Sequence, residues 1–306
     1  MKNGGICVIA ILAINVKLSK SCSWPTAFRN TIWHDSNRGE VTFTDTTLSG
    51  WGATAQGGTT IDSWECYSVN ETSSTTLTLV LKASTTFELF RITYVVYACL
   101  QMEEFSEQGY MYYQMSDEES RMSYDRLPVI ESSTYLTNPP TENLLCLSSV
   151  DTNAPSAEEY HVIIRNDKTE AASRACPSEY IGSHKYIVDD TTTEYCDSGD
   201  SSWSVCSSSD TMMFNYTLCS KILAYSDQGL VNCVFDMVDG NYTLVTVMTK
   251  EISSSQRFTC FVSHLAQNGT LYVSQSPGSC AKSQTPYDVP TSGLRMVLND
   301  KGNKLF

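Results

Sequence analysis

The chain has 306 residues, 41% of them apolar, and its 34 acidic and 20 basic side chains give a formal net charge of −14. That length and apolar content suffice for two domains with separate cores. The acid excess, without clustered Lys or Arg, argues against nucleic acid or anionic lipid as partners, because neutralising phosphates needs grouped cations.

In chain order, Met1 and Lys2 precede an apolar run, Ile6 to Val16, and then Ser19-Lys20-Ser21 before Cys22. The run is too short to span a bilayer, and small residues precede the cysteine, so residues 1–21 read as a secretory signal peptide. The mature chain is expected to be extracellular, where disulfides persist. A first β domain is placed at 22–172, with strands expected at Val41–Thr44, Leu77–Leu81, Phe87–Tyr97 and Tyr110–Met115, and a returning strand at Tyr160–Arg165. A second, Cys-rich β domain is placed at 173–290, with strands at Tyr180–Val188, Met212–Leu218, Leu230–Met237, Tyr242–Met248, Phe258–Ser263 and Leu271–Ser274. Period-two alternation, as at Leu77, Leu79 and Leu81, carries these assignments. Asp239-Gly240 and Asn268-Gly269 have the chemistry of two-residue hairpin turns. Residues 291–306 read as a polar tail, with neither a spanning helix nor a lipid-anchor signal. Helical periodicity is nearly absent. The expected fold is all-β, two tandem disulfide-linked antiparallel barrels or sandwiches.

Four Asn-x-Thr sequons, at Asn70, Asn215, Asn241 and Asn268, fit a secreted glycoprotein. Asn241 and Asn268 fall at expected hairpin ends, Asn70 in an expected polar loop, and Asn215 in a strand-like run where it would have to face solvent.

Of twelve cysteines, Cys7 lies in the signal peptide. The disulfide candidates are Cys22, Cys66, Cys99 and Cys146 in the first half, and Cys176, Cys196, Cys206, Cys219, Cys233, Cys260 and Cys280 in the second. The odd total leaves one thiol over. Matching Cys22 with Cys176, Cys66 with Cys206, Cys99 with Cys233 and Cys146 with Cys260 suggests an internal duplication, whose shared four should pair identically in both halves. Connectivity within each half stays open, since four cysteines allow three pairings.

Cys22-Ser-Trp-Pro, Trp33-His-Asp-Ser, Gly39-Glu-Val-Thr-Phe-Thr and Trp64-Glu-Cys66 resemble the N-terminal module of invertebrate secreted or single-pass proteins built from tandem Cys-rich domains of unknown function. Cys176-Pro, Gly182, Tyr186, Cys206, Phe214-Asn-Tyr216, Cys219, Cys233 and Phe258-Thr-Cys260-Phe261 resemble their later module. The resemblance implies an extracellular role and carries no catalytic residues. In architecture alone, Gly182 and Tyr186 on a first strand followed by hairpins are similar to the lipocalin calyx, although the usual Gly-x-Trp is replaced by Gly182-Ser-His-Lys-Tyr186.

No His-Glu-x-x-His, Cys-x-x-Cys, Gly-x-Ser-x-Gly or phosphate-cradling glycine loop occurs, so zinc hydrolase, redox and nucleotide-binding readings lack their usual support. His34, His161, His184 and His264 share no ligand spacing. His34-Asp35 is the most enzyme-like pair and reads as a turn. Asp189-Asp190 and Asp197-Ser-Gly-Asp200 could hold calcium but lack a calcium loop's spacing and read as turn chemistry. The aromatics Tyr110, Tyr112, Tyr113, Phe90, Tyr94 and Tyr97 are expected to fill a β core. No catalytic residue, metal ligand or cofactor is assigned. The expected function is non-enzymatic extracellular recognition of a protein, a glycan or a small apolar ligand; the alternative is an acidic matrix protein assembling through its free thiol or calcium.

Overall fold

The structure, a computed structural model, describes residues 22–148, 150–190, 192–196, 202–215, 224, 226, 228–249, 251 and 257–299. The expected signal peptide, Cys219, Asp197 and Asp200 lie outside the described residues.

The first half contains β1 (Thr31–Asp35), β2 (Gly39–Phe43), β3 (Thr47–Thr54), β4 (Thr60–Glu71), β5 (Thr76–Leu89), β6 (Ile92–Ser106), β7 (Gly109–Gln114), β8 (Val129–Glu131) and β9 (His161–Arg165). Strands β1 to β7 run as an antiparallel meander, and β9 pairs with both β7 and β1 to close an eight-stranded barrel. Strand β8 lies outside the ring on β6, at Tyr94–Val96, below the part of β6 that pairs with β7. Closure removes the unpaired edges that an open sheet would expose.

The second half contains β10 (Gly182–Asp189), β11 (Ser202–Val205), β12 (Thr211–Phe214), β13 (Leu230–Asp239), β14 (Tyr242–Thr249), β15 (Phe258–Leu265), β16 (Thr270–Pro277) and β17 (Leu294–Asn299), a second closed antiparallel barrel. The expected polar tail is corrected here. Strand β17 pairs with β16 and β10 and closes the ring. Its core signal is only two fully buried side chains, Met296 and Leu298, at period two within polar flanks.

The two barrels repeat each other, but with a cysteine correspondence different from the expected one. Cys22–Cys66 and Cys176–Cys233 each tie the entry of a barrel to its fourth strand, where a bulge follows the cysteine. Cys99–Cys146 and Cys260–Cys280 each tie the sixth strand to the long connection before the last strand. Pairing is therefore the same in both halves once Cys66 is matched with Cys233, Cys99 with Cys260 and Cys146 with Cys280. Counting cysteines in order failed because the second half inserts Cys196, which is also disulfide-bonded, and Cys206, which is free and exposed.

Three local expectations are also revised. The run Phe87–Tyr97 is not one strand: it reverses at Phe90 and Arg91, and Leu89 pairs with Ile92. No glycine, asparagine or proline marks that turn. The β15–β16 connection is three residues long, because Ala266 N–H and Thr270 C=O still bond at 2.9 Å. Gly269 takes the left-handed position at φ 85°, as a type I turn with a bulge requires. The β13–β14 hairpin is a two-residue loop as expected, but its central residues are Gly240 and Asn241.

Among the described residues, large side chains are buried in both interiors. In the first barrel Trp33, Trp51, Trp64 and Tyr112 are wholly inaccessible or nearly so, and Phe28 stacks on Trp33 at 4.6 Å near the chain entry. In the second, Tyr180, Tyr186, Trp203, Phe214 and Phe261 do the same work. Strand β6 is buried on both faces: Tyr94, Val96, Ala98 and Leu100 point inward, while Val95, Tyr97 and Cys99 lie under the β7–β9 connection. That double burial explains why its sequence reads as a continuous apolar run.

The barrels dock side by side. Tyr160, Val162 and Ile164 of the first pack on Val234, Phe235, Leu244, Phe258 and Val262 of the second. Tyr160 Oη and Thr246 Oγ1 bond across this seam at 2.8 Å, and Phe105 meets Phe235 at 5.3 Å between ring centroids.

Candidate functional site

The mouth of the first barrel is where charge, strain and exposed aromatics converge. Its floor begins at Asp35, the last residue of β1. The Oδ1 atom accepts from the backbone N–H groups of Asn37 and Arg38 at 2.7 and 3.0 Å, which makes the β1–β2 turn. Its Oδ2 accepts from Tyr112 Oη at 2.8 Å. Burial raises the Asp35 carboxyl above the usual carboxylate range, against these hydrogen bonds. The Tyr112 phenol is pushed well up, first by burial and then by the Asp35 charge. Above them the Arg38 guanidinium lies over Trp51, 4.7 Å from the ring centroid, and pairs with Asp125.

Asp125 belongs to a strap, residues 115–128, that crosses the mouth. Met122 and Leu127 from the strap enter the core. Gln56 N–H bonds Arg121 C=O at 2.6 Å, and Arg126 holds Glu159 at 2.9 Å while donating to the Ser116 and Asn153 carbonyls. The strap and the fully buried tryptophans below it make this barrel a packed body, where the lipocalin plan would place a calyx.

The rim has the opposite character. Phe90 and Arg91, the two central residues of the β5–β6 hairpin, have φ values of 53° and 66°, and Phe90 is 87% exposed. On the strap, Ser123 and Tyr124 have φ values of 57° and 65°, and Tyr124 is 71% exposed. Left-handed backbone costs an L-residue other than Asn or Gly about 1–2 kcal/mol. An exposed aromatic gains nothing from burial to offset it. Both turns belong to the same end of the barrel: Phe87 stacks on Tyr94 beside the hairpin tip, and Arg121 of the strap lies 5.0 Å over Tyr94. Strained residues kept at exposed positions cluster at sites of function, and aromatic and Arg side chains dominate recognition hot spots.

The expected core aromatics divide accordingly. Tyr94, Tyr97, Tyr110 and Tyr112 are buried, Tyr113 faces the seam, and Phe90 stands out in solvent. No pattern signal in the sequence marked Phe90 as different.

The four histidines are dispersed. His34 and Asp35, adjacent on a strand, point to opposite faces: Asp35 into the mouth, His34 to the seam, where its Nε2 receives Arg257 of the second barrel at 2.9 Å and lies 2.7 Å from Asn166. His161 lies in the same seam, with Nδ1 2.8 Å from Ser279 Oγ, which is 2.8 Å from Ser36 Oγ. This hydroxyl–imidazole pair resembles a nucleophile and base. The other ring nitrogen faces Asn37 Nδ2 at 3.3 Å, not an acid. Burial, then the Arg38 charge, push the imidazole down to about 3, so it holds the seam as a neutral hydrogen-bonding group. His184 packs against Trp203 and His264 against Tyr242.

Of the calcium candidates, Asp189 pairs with Arg295, and Asp190 accepts from the backbone and hydroxyl of Thr192 and the Thr193 N–H. No group of three potential metal ligands gathers among the described residues. The asparagines of all four sequons are exposed, with Asn70 inside β4 and not in a loop. A polar cleft of about 510 Å³, lined by Asp117, Glu118, Arg126, Asn153, Glu159 and Lys282, runs between the strap and the second barrel. Lys282 pairs with Glu118 across it. None of the described helices is long and apolar enough to cross a membrane.

Residues 172–294 match the model of a domain of unknown function (DUF7042). The match spans the second barrel up to the first residue of β17 and leaves the first barrel unmatched. No curated protein and no solved structure matches significantly.

Proposed function

We propose that this chain is a secreted, disulfide-bonded glycoprotein that acts by recognition, without catalysis or a cofactor, and that a protein partner docks on the rim of the first barrel. The observation that carries this reading is the exposed Phe90-Arg91 turn, held in left-handed backbone with an aromatic at its tip. A fold selected for stability alone would place Asn-Gly there. The filled interior of the first barrel favours surface recognition over enclosure of a small ligand. Glu88 and Glu131, near the tip on β5 and β8, together with the overall negative charge, favour a protein over an anionic bilayer. Disulfides in both barrels and four exposed sequons support the extracellular setting.

The test places a photoreactive phenylalanine analogue at position 90 of the protein secreted from eukaryotic culture, with position 136 as control, since Leu136 is equally exposed on a helix, Ser132–Thr137, below the rim. Incubation with extracellular fluid and irradiation should give one dominant crosslinked protein from position 90, and none when Tyr124→Ala is added. Equal or no crosslinking from both positions sinks the rim as a docking surface. A second reading, assembly as a matrix component, is favoured by the exposed free thiol of Cys206; a reducible dimer lost in Cys206→Ser would put it first.

A further inference from the structure

At the edge of the seam the second barrel carries an aromatic platform outside its core, whose first member, Tyr242, also packs on the seam cluster. Tyr242 opens β14, His264 stands beside it on β15, and Tyr272 pairs with His264 from β16. The three lie in one row on the outer face. Ring centroids are 6.0 Å apart for Tyr242 and His264. Tyr287, from the connection before β17, completes the platform at 5.1 Å from Tyr272, 6.0 Å from His264 and 6.5 Å from Tyr242, and is 40% exposed. Directly above sits the Gly240-Asn241 turn. His264 Nδ1 donates to the Asn241 carbonyl at 2.8 Å, which fixes both the imidazole tautomer and the distance between platform and turn. Asn241 is exposed and begins the sequon Asn241-Tyr242-Thr243.

We propose that this platform is the docking site of the chain's own N-linked glycan at Asn241, whose first sugars lie against the Tyr and His rings. The inference rests on the secretory reading above. The Asn241 Nδ2 atom forms the bond to C1 of an oligosaccharide delivered as a lipid-linked diphosphate sugar; the diphosphate leaves with the C1–O electron pair and the amide gives up one proton. The sugar's C–H face then packs on the electron-rich ring faces, covering apolar surface that would otherwise stay in water. The β15–β16 turn that carries Asn268 stands above His264 and Tyr272 of the same row, so a glycan at Asn70, on β4 of the first barrel, serves as the internal control.

The experiment compares the rates at which a peptide N-glycosidase releases the two glycans from the native protein made in eukaryotic culture, each site read by the Asn-to-Asp mass change in its peptide. Release at Asn241 should be at least tenfold slower than at Asn70. Tyr272→Ala, or Tyr287→Ala if the first fails to fold, should bring the two rates together. Equal rates in the parent protein overturn the proposal and leave the secretory reading intact, as does a bare Asn241 beside glycosylated Asn70 or Asn268. Absence of glycan at every site overturns both.

Discussion

At the scale of single residues, the conflict between local preference and observed backbone is greatest at Phe90 and Arg91. Replacing them by Asn and Gly gives the hairpin the residues that a left-handed two-residue turn favours, and relieves about 1–2 kcal/mol per residue. The double variant should therefore melt several degrees higher while losing the position-90 crosslink partner, a split that differential scanning calorimetry and binding can read separately. A buried histidine gives a second residue-scale expectation. His161 is held near 3 in the folded chain and returns to its ordinary value near 6.5 on unfolding. The unfolded state then takes up a proton first, so stability is full above about pH 6.5 and declines as pH falls towards 3. His34, also lowered by burial, acts in the same direction, with Arg257 opposing its charge and Glu40 favouring it. Around His161, Arg38 disfavours the proton, and Asp125 and Glu159 favour it. Asp35, raised by burial, works the other way at the acid end: its contribution is present at low pH and lost as pH rises through its folded value. The melting temperature should hold level from pH 7.5 to about 6.5 and fall from there to pH 4.5, and His161→Gln should flatten that fall. A parent profile independent of pH contradicts this account.

Among elements, the two disulfides of the second barrel that have counterparts in the first do different amounts of work because they close loops of different length. Cys176–Cys233 spans 57 residues and Cys260–Cys280 spans 20. A crosslink stabilises mainly by restricting the unfolded chain, typically by about 2–4 kcal/mol, and the longer loop should be worth roughly 1 kcal/mol more. Denaturant titration of the two Cys→Ser double variants should rank them in that order. Strand β17 is the other element on which closure depends. Met296→Asp puts a charge on the inner face and should open the ring, exposing the edges of β10 and β16. Aggregation on mild heating, absent in the parent, is the expected readout.

For the whole molecule, the seam decides whether the barrels act as one body. Phe235 is central to it, packed on Phe105 and Tyr160, with Arg174 over its ring. Phe235→Ala removes a large buried ring and should weaken docking by about 3 kcal/mol, without entering either barrel's own core. Limited proteolysis should then cut within residues 166–175, the linker between the barrels, and release two stable fragments; a single uncut species would show that the polar contacts suffice alone. Arg257 and His34, Ser36 and Ser279, and Lys282 and Glu118 would be those contacts.

Period-two alternation determined the all-β fold in advance, since Leu77, Leu79 and Leu81 can share a buried face only in a strand, and turn chemistry at Asp239-Gly240 announced a hairpin whose loop the structure centres one residue later, on Gly240 and Asn241. Cysteine parity likewise foretold the odd thiol now found at Cys206. Tertiary structure alone decided which cysteines correspond, because equivalence is set by position around a closed ring and not by order along the chain. It also made β17 a barrel strand, since ring closure supplies two hydrogen-bonded neighbours that a weak local pattern cannot announce. The rim and the aromatic platform were illegible for a related reason. Phe90 and Tyr94 are alike to any local pattern, and only the turn between β5 and β6 sends one to solvent and the other to the core. Tyr242, His264, Tyr272 and Tyr287 come from separate segments, and become neighbours only when the sheet sets their registers side by side.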